Sequence, residues 1–314
     1  MRYAILADIH ANGAALDAVE KDMQQVRLED GASSRALTQY WFLGDLVGYG
    51  PDPLYCLKWL RVRAGIEQRW VPGNHDEYLQ ADTIPSDIHA DAQQTLQAHL
   101  MQLAEPSNRK VRDWFFEQVS AFVNESRSSL LTEVSGSLTT VFTHAATPPS
   151  MRRTHYIYPW RADDIAIEFD HLRQYVPLTE TTVLFCGHTH YPMWVKEGGD
   201  RKPVLQSIHY GQPMPLETGL MIINPGSVGQ PRDGDPRAGY AILDTDEGTI
   251  EFRRIAYDVQ ATARGLWGMQ TVADNIRANL VQRLEAANGG EKLEYFKAVY
   301  RRPVWDLEAV NNGG

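Results

Sequence analysis

Residues 2–10 read Arg2-Tyr3-Ala4-Ile5-Leu6-Ala7-Asp8-Ile9-His10, an apolar run that ends abruptly in a carboxylate and an imidazole two positions apart. On an extended chain, residues i and i+2 point the same way, so Asp8 and His10 can face one ion. The same device recurs four times. Tyr40-Trp41-Phe42-Leu43 runs into Gly44-Asp45-Leu46-Val47-Gly48, whose glycines permit a tight turn that presents Asp45 at a strand end. Trp70-Val71 leads into Pro72-Gly73-Asn74-His75-Asp76, Val141-Phe142 into Thr143-His144-Ala145, and Phe185 into Cys186-Gly187-His188-Thr189-His190. Taken singly, each block has an ordinary reading. Asp8 is then a capping carboxylate, Asp45 an Asx turn, Asn74-His75-Asp76 a helix cap and His144 a structural histidine. His188 and His190 stand out, because two imidazoles two apart at a strand end make a bidentate clip for a metal.

The segments between these blocks set the fold class. In the N-terminal half, apolar strand-like runs alternate with amphipathic stretches near 14–29 and 54–62, which predicts parallel strands with crossover helices. From about 87 to 124 the pattern is purely helical, with Pro106-Ser107 separating two helices. Strand-like segments follow at 138–142, 183–185, 193–195, 220–223, 240–243 and 250–255, most of them joined by short turns, so the second half leans toward mixed or antiparallel sheet. No linker forces a boundary. The expected organisation is one α/β domain over residues 1–260 with a helical insertion at about 87–124, and a C-terminal helical extension over 261–314 packed on the same domain.

Lys and Arg total 30 against 40 Asp and Glu, so the net charge of −10 argues against a broad basic surface for duplex nucleic acid or an anionic membrane. The two cysteines, Cys56 and Cys186, are too few for a disulfide framework and form no CxxC pair. No uninterrupted apolar stretch approaches the roughly 18 residues of a spanning helix, and the first residues lack the pattern of a signal peptide. A cytoplasmic protein is the expectation.

Asp-x-His, Gly-Asp-x-x-Gly, Gly-Asn-His-Asp, a lone His after a strand and Gly-His-Thr-His occur in that order. Together they resemble the calcineurin-like metallophosphoesterase superfamily, over most of residues 1–256. Ile223-Asn224-Pro225-Gly226-Ser227 is similar to a turn of the small bacterial and archaeal phosphodiesterase-type branch. The resemblance implies a four-layer α/β/β/α sandwich, here with a helical insertion and a helical C-terminal tail.

It also implies a binuclear centre. Asp8, His10, Asp45 and His190 would hold one divalent ion, and Asp45, Asn74, His144 and His188 the other, with Asp45 shared. A donor set of carboxylate, imidazole and amide without thiolate suits Mn²⁺ first, with Fe²⁺, Zn²⁺ or Ni²⁺ as alternatives. In the family's chemistry a hydroxide bridging two ions roughly 3.5 to 4 Å apart attacks phosphorus in line. His75 would be the general acid, oriented by Asp76.

The implied function is phosphodiesterase or phosphatase action on a small phosphoester or nucleotide-like substrate. A phosphoprotein or dinucleoside tetraphosphate substrate is the alternative within the class, and a non-catalytic scaffold of the same fold is the alternative outside it. Scaffolds of this kind lack ligands that this chain retains. A metallo-β-lactamase arrangement needs an early HxHxDH, and a dinucleotide-binding fold needs GxGxxG after the first strand; neither is present.

Five histidines remain. His89 and His99 are expected on the solvated face of the helical insertion, which would cap the site or mediate a homo-oligomer contact. His171 and His209 carry no assignment. His155, in the basic and aromatic run Arg152-Arg153-Thr154-His155-Tyr156, is a candidate substrate contact, with a plain surface loop as the alternative. Arg232 is a second candidate contact, the alternative being an ion pair with Asp233 or Asp235.

Overall fold

The computed structural model describes residues 1–31, 37, 39–64, 69–81, 84–124, 131–148, 151, 154–287, 289 and 291–300. Arg152, Arg153 and the tail from 301 lie outside the described residues. In the first of two sheets, β1 (Arg2–Leu6) sits between the parallel β2 (Gln39–Phe42) and the antiparallel β10 (Ala238–Asp244). β11 (Thr249–Ile255) and the short β8 (Met214–Pro215) complete it. The second sheet runs β3 (Leu131–Ser135), β4 (Leu138–Phe142), β5 (Thr181–Phe185), β9 (Gly219–Asn224), β6 (Met193–Glu197) and β7 (Pro203–Leu205) in spatial order. Its centre, β4-β5-β9, is parallel and its edges are antiparallel. Trp70-Val71, expected as a strand, reaches the first sheet through an isolated bridge from Trp70 to Phe42.

Alternation along the strands assigns their faces. Tyr3, Ile5, Trp41 and Phe252 of the first sheet meet Phe142, Val183, Phe185 and Ile223 of the second in a shared core. Ala4, Leu6 and Phe42 point outward to α1 (Gly13–Asp30) and α2 (Pro53–Ala64). On the far side Val141, Leu184 and Ile222 pack on Ile165, Phe169 and Leu172 of α6 (Ala162–Tyr175). Both sheets are thus covered on both faces, the α/β/β/α layering, and their central strands are accordingly almost entirely buried. No reading of the sequence placed α6; its polar run Ala162-Asp163-Asp164 hides a stripe of only Ile165, Phe169 and Leu172.

The helical insertion packs into the body of the domain. α4 (Ala90–Ala104) and α5 (Arg109–Asn124) form part of the outer layer: Leu96, Leu103, Val111, Phe115 and Val119 join Leu57 and Leu60 of α2 in one core. His99, expected on a solvated face, is buried because the loop from Gly48 to Gly50 needs its ring. Gly48 N–H donates to His99 Nδ1 at 3.3 Å, and His99 Nε2–H donates to Gly50 O at 2.8 Å. His89 is an exposed N-cap. Of the C-terminal helices α7 (Val259–Gly268), α8 (Asp274–Ala286) and α9 (Glu291–Tyr300), the first two bury Leu266, Ile276, Leu280 and Leu284 together with Ala98 of α4, and α9 buries Leu293.

Phe142 joins the two sheets. Its ring stacks on Trp41 at 3.7 Å and on Phe185 at 5.5 Å between centroids. Phe142→Ala is expected to cost about 3–5 kcal/mol in urea unfolding of the metal-free protein; a loss under about 1 kcal/mol would contradict this account of the core.

Candidate metal centre

Each of the five marked blocks is a loop leaving a strand or the Trp70 bridge, and the loops are hydrogen-bonded to one another. Asp8 N–H donates to Gly44 O at 3.0 Å, His10 N–H to Asp45 O at 2.9 Å and Gly187 N–H to His144 O at 2.9 Å. The resulting backbone is unusual. Asp8, His10, Asp45, His188 and His190 all have positive φ, between 48° and 66°. Left-handed backbone at such residues costs of order 1–3 kcal/mol each and persists where surrounding bonds over-determine it.

The side chains fall into two groups. Ligand atoms of Asp8, His10, Asp45 and His190 lie within 4.8 Å of one another, and so do those of Asp45, His144 and His188. All six are buried. Asp45 Oδ2 stands between the groups, 3.6 Å from His10 Nε2 and 3.3 Å from His144 Nε2. Asn74 Oδ1 lies 3.2 Å from His144 Nε2 and extends the second group.

Four backbone carbonyls decide how these imidazoles point. His10 Nδ1–H donates to Val47 O at 2.9 Å, His190 Nδ1–H to Gln230 O at 2.6 Å, His144 Nδ1–H to Leu43 O at 2.7 Å and His188 Nε2–H to Thr154 O at 3.0 Å. With that nitrogen carrying the proton, the other turns its lone pair inward. His10 Nε2 then faces His190 Nε2 at 3.0 Å, and His144 Nε2 faces His188 Nδ1 at 3.1 Å. Facing lone pairs beside buried carboxylates repel unless a proton or a cation lies between them. The donor set fits hard or borderline divalent ions.

Without a cation, protons do part of that work. Burial pulls the His144 imidazole down, but the Asp45 carboxylate beside it more than offsets this and holds it up to about 10. Burial pushes the Asp8 carboxyl up, and the Asp45 carboxylate adds to the effect while His144 opposes it. Burial lowers His10, His188 and His190 well below the usual histidine value, which keeps them neutral and able to ligate.

The remaining assignments divide. The buried His75 ring lies at 4.9 Å from His10 and 4.8 Å from Tyr49, centroid to centroid, and its main-chain N–H donates to Asp45 Oδ1 at 2.9 Å. Its Nδ1 has no hydrogen-bond partner among the described residues. Asp76 does not orient it, contrary to expectation. Asp76 Oδ1 accepts from Leu46 and Val47 N–H at 3.0 and 3.3 Å, and Oδ2 accepts from Gly73 N–H at 2.9 Å, so this carboxylate is a brace for the Asp45 loop. The glycines flanking these residues are steric requirements. A Cβ on Gly48, at φ +88°, would fall 2.1 Å from His75 Nδ1, and one on Gly73 would fall 2.1 Å from Asp45 Oδ1.

His155 is also corrected: its Nε2–H donates to Asp164 Oδ2 at 2.9 Å, which commits the ring to the start of α6. Arg232 is different. Asp233 pairs with Arg254 and Asp235 with Arg237. That leaves the Arg232 guanidinium held by Gln230 Oε1 at 3.0 Å and over the Tyr49 ring at 5.9 Å, with no acidic partner among the described residues.

The turn at Asn224–Gly229, read as a subfamily marker, is a clamp. Asn224 Nδ2 donates to Gly187 O and Thr189 Oγ1, while Ser227 Oγ and Gly229 N–H both donate to Asp8 O. It ties the Asp8 loop to the His188 loop. Tyr49 and Tyr156 were not singled out by any motif. A Tyr after Gly48 and an aromatic cluster at 156–160 were the available signals.

Fold and site together define a two-sheet α/β protein with two buried Asp–His groups able to hold metal. A family model described as the calcineurin-like phosphoesterase superfamily domain matches residues 1–248, and the chain belongs to that superfamily. A metallophosphoesterase crystal structure from Sphaerobacter thermophilus is 30% identical, with a TM-score of 0.64 over 91% of this chain and 99% of that one. An uncharacterized protein of Methanocaldococcus jannaschii is 28% identical over 257 residues, 82% of this chain and 88% of its own length. A hypothetical protein from Pyrococcus horikoshii, 16% identical, shares the fold, with a TM-score of 0.65 over 92% of this chain and 99% of that one. Among the described residues no helix is long and apolar enough to cross a membrane.

Two outcomes follow from this geometry. Asp76→Ala strips three buried N–H groups of their acceptor, so unfolding should lose about 3 kcal/mol or more, and metal content measured by plasma emission should fall with it. Unchanged stability would remove the bracing role. Because a ligand nitrogen of His144 holds a proton up to about 10, binding must displace that proton. Affinity for Mn²⁺ should therefore rise with pH, with proton release seen by calorimetry in buffers of different ionisation enthalpy. A flat affinity between about pH 6 and 9 would exclude this linkage.

Proposed function

We propose that the chain is a metal-dependent phosphoester hydrolase acting on a small phosphoester or nucleotide-like substrate, with a pair of divalent ions, Mn²⁺ first among them. The observation that supports it is the sharing of Asp45 between two buried ligand groups with inward-facing imidazole lone pairs. Asp8, His10 and His190 would complete one site, and Asn74, His144 and His188 the other. When bound, two such cations supply Lewis-acid charge to the phosphoryl oxygens and acidify a water for attack near neutral pH.

The chain's own groups then orient the substrate and handle the leaving oxygen. Arg232, with no carboxylate partner among the described residues, offers a guanidinium to an anionic group of the substrate. His75 is fixed beside the centre through its main-chain bond to Asp45. Burial lowers its pKa, so at pH 7 the ring is largely neutral. Its N–H donates to the leaving oxygen, and the protonated fraction, which grows as pH falls, transfers its proton to it. Water exclusion follows from the burial of the loops around the ligands, which strengthens each of these contacts.

The test is an assay of the Mn²⁺-supplemented protein against bis-p-nitrophenyl phosphate, p-nitrophenyl phosphate, cyclic nucleotides and dinucleoside tetraphosphates. Asp45→Asn should abolish turnover, and His75→Ala should keep its metal while losing a factor of about 10² to 10⁴ in rate. No turnover of any phosphoester at full metal occupancy would overturn the proposal. Loss of metal in His75→Ala would remove the assigned role of that residue.

A further inference from the structure

One wall of the centre is aromatic. The Tyr156 ring stacks on the His188 imidazole at 4.0 Å between centroids, Tyr158 on Tyr156 at 5.3 Å, and Trp160 on Tyr158 at 4.6 Å. This ladder starts on a candidate metal ligand and leads away from it. Lys292, the second residue of α9, lies over its first two tyrosine rungs, with Nζ 4.6 Å from the Tyr156 centroid and 4.7 Å from that of Tyr158. Among the described residues no carboxylate pairs with Lys292, and none pairs with Arg232.

Two cations beside one aromatic wall without an acid between them are a costly arrangement in a chain that carries ten more acidic than basic side chains. Partial burial and the Arg232 charge hold the Lys292 ammonium below the usual lysine range. An anion would relieve that repulsion. On the same wall the Tyr158 hydroxyl is buried and has no hydrogen-bond partner among the described residues, so a donor is uncommitted there.

We infer that α9 completes the substrate site, with Lys292, Arg232 and the Tyr158 hydroxyl forming a subsite for a second anionic group on the substrate, beyond the phosphoryl group held at the centre. The inference rests on the phosphoesterase reading above. It names the substrate class as phosphoesters that carry a further phosphate, in the manner of a nucleoside diphosphate. α9 lies beyond residues 1–248 that match the family model, so the Lys292 contribution comes from outside the matched domain.

The experiment is calorimetry of the full chain stripped of metal, titrated with ADP and, as the one-phosphate control, AMP. ADP should bind more tightly than AMP. Lys292→Ala should weaken ADP about tenfold while moving AMP less than about twofold, and Lys292→Arg should keep ADP within about threefold of the parent protein. ADP binding no tighter than AMP, or unchanged in Lys292→Ala, overturns the subsite. With Mn²⁺ restored, ADP inhibition of bis-p-nitrophenyl phosphate hydrolysis should weaken about tenfold in the same variant. If no phosphoester is turned over while the ADP preference still depends on Lys292, the enzymatic reading fails and the subsite stands. An active enzyme without that preference loses the subsite alone.

Discussion

Four imidazoles are pinned from behind by four main-chain carbonyls, so that their free nitrogens converge on two buried carboxylates. The pinning bonds of His10, His144, His188 and His190 run to Val47, Leu43, Thr154 and Gln230, each on a different loop from the ring it holds. Any displacement of one loop therefore rotates a ligand belonging to another. This mutual dependence explains why the left-handed backbone at Asp8, His10, Asp45, His188 and His190 persists. It also explains the density of bracing around those residues, with Asp76 under the Asp45 loop and Asn224 and Ser227 across the Asp8 and His188 loops.

The sandwich sets the scale of the centre. Asp8 and Asp45 leave strands of the first sheet, whereas His144 and His188 leave strands of the second. The gap spanned by Asp45 is thus the gap between sheets, and the Trp41–Phe142–Phe185 stack beneath it fixes that spacing. Close-packed interiors change dimension only in discrete steps, so a core of this kind transmits its geometry to the site without slack.

Charge illustrates how far bulk composition and a local field can diverge. The whole chain carries an excess of acid over base. Yet the acids nearest the centre, Asp8 and Asp45, are buried among imidazoles, while Asp233 and Asp235 are taken up by Arg254 and Arg237. Arg232 is left facing the ligands. Specific pairing of those acids leaves one guanidinium beside the centre of an acidic protein with no carboxylate partner among the described residues.

The chemistry-bearing residues were legible in the sequence because each is short-range information: a ligand type two or three positions beyond an apolar run. The order of the five blocks was enough to identify the superfamily and to mark the residues whose ligand atoms converge. The roles of Asp76, His99 and His155 were not legible, since each depends on what lies opposite in space. Asp76 and His155 found other partners, Leu46, Val47 and Gly73 for the first and Asp164 for the second, and His99 was drawn inward by Gly48 and Gly50. The same holds for Lys292, which no motif marks and which reaches Tyr156 and Tyr158 only because α9 packs back onto the domain. Sequence alone determined which ligand-type side chains stand just beyond the strands. Tertiary structure decided which nitrogen of each imidazole is free and which cations are left without an acid, because hydrogen bonds and ion pairs between loops far apart in the chain settle both.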